Sequence, residues 1–203
     1  MFPLGILKRE VVVSYWINCP FNTANGLNDL SGNSRTFTQY NGGLTVTTTN
    51  DANGALRMNG SGWMTTVDTF DLQGNDFNIS CDIFIENSSD YYSVFLAQRI
   101  NSLVADIEFF SIGNGQLNVA VYFDDNSTTS FLGSAVRNQW QTIEFKRVAN
   151  VFTLTVDGIS TSQTISKSVR SDSNSVLNIG NANQASESGI CTGSMRNLKV
   201  IIG

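Results

Sequence analysis

Few residues in this 203-residue sequence are of types that carry acid–base or nucleophilic chemistry. Asp82 with Glu86, and Asp106 with Glu108, are the nearest approach to the two carboxylates that must flank a glycosidic bond to hydrolyse it. The i, i+2 spacing of Asp106 and Glu108 puts both side chains on one face of a strand. Ala105, Ile107 and Phe109 alternate against them, so that face is predicted to be the outer one. The chain has no histidine, which excludes every mechanism that needs an imidazole base and removes the commonest transition-metal ligand. A serine nucleophile would lack its partner, and no glycine-rich loop leads into a helix to cradle phosphate.

Asp124, Asp125 and Asn126 could offer oxygen ligands to a hard cation, although three polar residues after an apolar strand read more simply as a hairpin tip. Trp63, Tyr91 and Tyr92 lie near polar loops and are candidates for the stacking platform of a sugar site. The alternative for each is an ordinary rim aromatic of a sandwich. Cys19, Cys81 and Cys191 are an odd set without C-x-x-C spacing, so a monomer keeps at least one thiol and zinc is ruled out; Cys81 is expected to be buried and reduced.

The elements that would hold these residues are strands. Phe77, Ile79, Cys81, Ile83 and Ile85 alternate with Asn78, Ser80, Asp82 and Phe84, the period of a half-buried strand. Leu117, Val119, Val121 and Phe123 repeat the pattern. Residues 151–156, Asp157-Gly158 and residues 159–165 read as a hairpin, because Asp-Gly supplies the positive-φ pair of a type I′ turn. Further strands are predicted over 11–18, 44–48, 55–58, 92–98, 104–110, 142–148, 176–179 and 198–202. No long segment has helical spacing. With 17 glycines, 2 prolines and 14% charged residues, the chain reads as all-β: a two-sheet antiparallel β-sandwich with Greek-key or jelly-roll connections.

A net charge of −5 without a basic cluster argues against nucleic acid and anionic membrane surfaces as partners. Residues 1–10 form an arm whose short apolar patch is followed by Lys8-Arg9, without the order of a secretory signal, and residues 11–203 read as one domain. Phe2, Leu4, Ile6 and Leu7 of that arm are candidates for docking on a protein partner; the alternative is a frayed terminus.

From Tyr15 onward, ordered segments resemble the laminin-G-like family of concanavalin A-like jelly rolls. They are Tyr15-Trp16 with Pro20-Phe21-Asn22, Asn28 to Asn33, Asn53 to Gly62, Asp76 to Ser80, Gln139 to Ile143, Thr153 to Gly158, Asn178-Ile179-Gly180 and Gly193 to Val200. The resemblance implies a lectin-like binding fold. Where the family often places an acidic pair, this chain has Arg196-Asn197, so calcium is not indicated by motif and no cofactor is expected. The E-x-D-x-x-E arrangement of glucanases on related folds is absent, which leaves a glycoside hydrolase as a remote alternative and no enzyme as the expectation. An extracellular-type fold that starts at Met1 without a secretory signal leads to the expectation of a bacteriophage virion protein, a decoration, knob or tail-fibre-associated module. It would be made in the host cytoplasm and bind other virion proteins or surface glycans, with homo-oligomers left open. A free carbohydrate-binding lectin is the alternative.

Overall fold

The computed structural model describes residues 15–66, 70–86, 92–100, 104–113, 115–180 and 191–203. Fifteen strands follow in chain order: β1 (Tyr15–Cys19), β2 (Phe37–Tyr40), β3 (Thr45–Thr47), β4 (Ala55–Asn59), β5 (Trp63–Thr66), β6 (Phe77–Ile85), β7 (Tyr92–Arg99) and β8 (Ala105–Ile112). The rest are β9 (Gln116–Tyr122), β10 (Thr128–Ser134), β11 (Trp140–Val148), β12 (Val151–Val156), β13 (Ile159–Thr164), β14 (Val176–Ile179) and β15 (Thr192–Ile202). They make two antiparallel sheets. One runs β13-β12-β11-β6-β15-β4-β3 with β1 also on β15; the other runs β10-β9-β8-β7-β14-β5-β2. The expected two-sheet sandwich is observed.

Alternation explains β6, whose inward residues Phe77, Ile79, Cys81, Ile83 and Ile85 are all buried while the residues between them are half-exposed. The Asp157-Gly158 turn joins β12 to β13 with φ of 49° and 83°, as the dipeptide predicts. Where the sheets meet, Phe109 and Phe131 set their rings edge-on to Phe145, with centroids 6.0 and 5.1 Å apart.

β2, β5 and β10 lie outside the predicted strands. β10 is mostly Thr, Ser and Gly and β2 is a short, largely exposed Phe-Thr-Gln-Tyr run, both at the ends of their sheet, and β5 is buried on both faces, so none shows a clean period-2 pattern. The first described strand begins at Tyr15, and residues 11–14 of its predicted span lie outside the described residues. The last strand is longer than expected because Thr192–Met195 pair with β4 while Leu198–Ile201 pair with β1, with β6 along the other side. A β-bulge between Arg196 and Lys199 marks the hand-over, with Asn197 at φ 55°.

The seven-stranded sheet is also buried on the side away from the core. Val94, Ala97, Phe110 and Ala120 form a second apolar cluster there, with Tyr92, Ile112 and Tyr122 packed against it.

Candidate functional site

The carboxylate pair Asp106 and Glu108 corrects the expectation of an outer, open face: their residues are 0% and 3% exposed. The reason is that β8 is covered on both sides. A bulge between Gln98 and Arg99 opposite β8 also sends the two groups into separate networks. Asp106 accepts a hydrogen bond from Gln98 Nε2 (3.0 Å), whose other bond goes to Phe70 O (2.8 Å). Burial raises the Asp106 pKa, against the opposing pull of Gln98, the Ser175 hydroxyl and the Asp172 amide. Glu108 is held by Arg99 at 2.5 Å and by the Tyr122 hydroxyl at 2.6 Å, with the Tyr92 hydroxyl at 3.5 Å. Burial, and then the Glu108 charge, push both tyrosines above their ordinary range. The other carboxylate pair also separates: Asp82 bonds Thr142, Arg196 and Asn197, while Glu86 bonds Arg57 and Asn50.

Trp63 and Tyr92 stand on the same outward face of the seven-stranded sheet, on β5 and β7 with β14 between them. Trp63 is 6% exposed and stacks on the exposed ring of Tyr40 with centroids 5.3 Å apart; its indole Nε1 has no hydrogen-bond partner among the described residues. Tyr92 leans on Phe110 at 4.5 Å. Tyr91 and the arm residues Phe2, Leu4, Ile6 and Leu7 lie outside the described residues.

Asp124, Asp125 and Asn126 form the tip of the β9–β10 hairpin. Gln73 donates to Asp124 (2.7 Å), Lys167 pairs with Asp125 (2.8 Å) and Arg170 donates to Asn126 (2.7 Å), so side-chain donors take the oxygens a cation would need. No cluster of metal-ligating side chains occurs among the described residues.

A polar cleft of about 380 Å³ opens beside the β15 bulge, and sequence reasoning did not single it out. Three segments build it: residues 20–24 after β1, the β3–β4 loop with Asp51, Asn53 and Gly54, and Arg196-Asn197 in the bulge. Backbone bonds tie them together, from Asn197 N to Pro20 O (3.1 Å) and from Thr23 N to Asn53 O (2.9 Å). Asn197 in its wall and Phe21, buried behind the 20–24 segment, adopt the left-handed region at φ 55° and 51°. Such residues cost about 1–3 kcal/mol each and persist where the surroundings over-determine them. Here the fully buried Phe21 ring and the bulge do so. Gly54 is required at φ 90°, since a Cβ there would stand 2.8 Å from Thr23 N.

At the back of the cleft the Arg196 guanidinium is clamped between Asp51 and Asp82, 3.1 Å from the latter. It lies over the Trp140 ring at 4.3 Å, and the Trp140 Nε1 donates to Asn50 O (2.9 Å). Asn197 Nδ2 and Thr142 Oγ1 donate to the two oxygens of Asp82, both at 2.8 Å. Toward solvent, Asn53 and Asn197 are exposed, and the Asn53 side chain makes no hydrogen bond among the described residues. The cleft therefore offers exposed amide edges to hydroxyl groups, that of Asn197 fixed by its bond to Asp82. Arg196 pairs with both Asp51 in the lining and Asp82 behind it.

A laminin G domain family model matches residues 84–200, more than half of the sequence. The chain belongs to the laminin G domain family. A second comparison found no match among curated proteins. Among solved structures, this laminin G domain is similar to the binding domain of botulinum neurotoxin serotype D, with a TM-score of 0.71 at 12% identity over 93% of this chain and 48% of that one. It is also similar to the binding domain of Paraclostridial Mosquitocidal Protein 1 (TM-score 0.69, 13% identity, 93% and 48%). The binding domain of botulinum neurotoxin DC in complex with SialylT is a third (TM-score 0.70, 12% identity, 93% and 48%). The chain thus spans about half the length of these structures. At such identities the likeness is one of fold.

Proposed function

We propose that this laminin G domain is a non-catalytic recognition module that binds surface glycans in the cleft at Asp51, Asn53, Arg196 and Asn197, and that it does so as part of a virion. The observation that carries the reading is the framed cleft: three chain segments joined by backbone bonds and an arginine clamped by two carboxylates surround exposed amides, of which Asn197 is held by Asp82. The complex of the neurotoxin DC binding domain with SialylT supports a ligand-binding role for this fold. The non-catalytic reading is supported by the separation of Asp106 from Glu108 and by the three donors around the Glu108 carboxylate.

Virion carriage rests on a further point. Cys19 and Cys81 are buried free thiols, with burial pushing the Cys81 thiol up to about 12. A recognition fold with buried thiols suits assembly in a reducing cytoplasm. The binding reading is tested on a glycan array, with and without calcium, using the wild type and Asn53→Ala. Retention of a defined glycan that falls about tenfold in the variant, the loss of roughly one good hydrogen bond to ligand, supports the cleft; retention unchanged by the substitution refutes it. Virion carriage is tested by mass spectrometry of density-gradient fractions of source material. Co-migration with particles at fixed stoichiometry supports it, and a chain found only in the soluble fractions makes the protein a free lectin.

A further inference from the structure

We propose that the open edge of β13 is a self-association surface, on which a second copy of this chain lays its own β13 antiparallel about a twofold axis at Ser162. Among the described residues β13 ends its sheet, with β12 on one side and no strand on the other. All six of its residues are exposed.

The β12–β13 register identifies the groups on offer. The tight turn makes Val156–Ile159 a mutually bonded pair, and the ladder continues to the bond from Ile165 N to Asn150 O (2.8 Å). The N–H and C=O groups of Ile159, Thr161 and Gln163 therefore face β12, and those of Ser160, Ser162 and Thr164 face away from it. Such an edge is a template for another strand unless charge, proline or a bulge blunts it. β13 has none of these: its sequence is Ile-Ser-Thr-Ser-Gln-Thr and its register is unbroken.

The occupant follows from charge and symmetry. Two copies of a chain with net charge −5 repel, yet β13 is uncharged, so they meet here without opposing like charges. With Ser162 on the axis, each Ser160 exchanges both backbone bonds with Thr164 of the other copy, a self-complementary pattern. The same register sets Ile159 opposite Ile165 of the second copy. Ile159 is 79% exposed at the rim of an apolar groove of about 430 Å³ shared with Leu132, Val136, Leu154 and Val156. Pairing covers the most exposed large apolar side chain of the described residues.

The full chain is measured by sedimentation equilibrium over about a hundredfold range of concentration. The wild type is expected to reach twice the chain mass. Ser162→Pro removes one outward N–H and no backbone bond to β12, giving up there only the exposed contact between the Ser162 and Thr153 hydroxyls (2.9 Å), so it is expected to be monomeric with an unchanged far-UV circular dichroism spectrum. Ser162→Cys provides a measurement that survives misfolding of the proline variant. Bonded antiparallel residues sit with Cα atoms about 5.5 Å apart, within disulfide reach, so mild oxidation should link two copies through residue 162. A wild type that stays monomeric throughout overturns the proposal. So does a dimer that survives Ser162→Pro, or a wild-type dimer whose Ser162→Cys variant fails to cross-link.

Discussion

The polar residues on the outward side of the seven-stranded sheet, Arg99, Glu108, Asn118 and Asn178, are almost completely buried, whereas Arg196 and Asn197 on the eight-stranded sheet border an open cleft. The two settings give similar side chains different work. Behind the seven-stranded sheet a carboxylate is committed to partners inside the fold, and its value is structural. At the cleft the exposed amides can exchange water for a ligand hydroxyl at little cost to the fold. A polar cluster points to recognition only where its outer edges remain replaceable.

The sharpest way to break this contrast is Glu108→Ala. It leaves Arg99 buried beside two tyrosine hydroxyls, and unfolding in urea should show a loss of about 3–5 kcal/mol. A loss under about 1 kcal/mol would mean that this face is as replaceable as the cleft. Gly54→Ala comes next: strain at φ 90° and the approach to Thr23 should cost about 1–3 kcal/mol and weaken glycan retention together.

The two sheets should also respond oppositely to pH. The bond from Arg57 lowers the Glu86 pKa, so its contribution is present above the ordinary carboxylate range and is lost as pH falls through the lowered value. Burial raises the Asp106 pKa, so its contribution is full below the unfolded value and is lost as pH rises through the raised one. Urea melts across the acid range should therefore show Glu86→Gln losing part of the wild type's acid-side fall in stability. Asp106→Asn, which keeps an acceptor for Gln98, should gain stability relative to wild type toward neutral pH. The smallest effect is expected at the exposed hairpin tip, where Lys167→Ala should change stability by no more than about 0.5 kcal/mol in the same melts.

Much of the fold is legible locally. Five alternating apolar residues are enough for β6, and Asp157-Gly158 is enough for the β12–β13 turn. β5 escapes because burial on both faces erases alternation, and β2 and β10 because their residues read as loop. The acidic pair on β8 shows a different limit: alternation separates two faces, but cannot say that both are covered. Trp63 and Tyr92 do share a sheet face, yet the exposed ring beside Trp63 is that of Tyr40, which only the β2–β5 pairing brings there. The cleft was out of reach for a related reason. Residues 20–24, 51–54 and 196–197 meet through a bulge, and nothing in any one segment announces the other two.

β15 pairs with three strands of its sheet, more than any other described strand. β15 lies against β6 along one side and against β4 and β1 along the other. Until it arrives, the eight-stranded sheet exists only as disconnected pieces, β3 with β4 and the run from β6 through β13, with β1 unattached. A chain that has not yet placed β15 therefore holds open, half-finished edges in this sheet. The β15 pairings join residues far apart in sequence, the kind of contact whose closure slows folding.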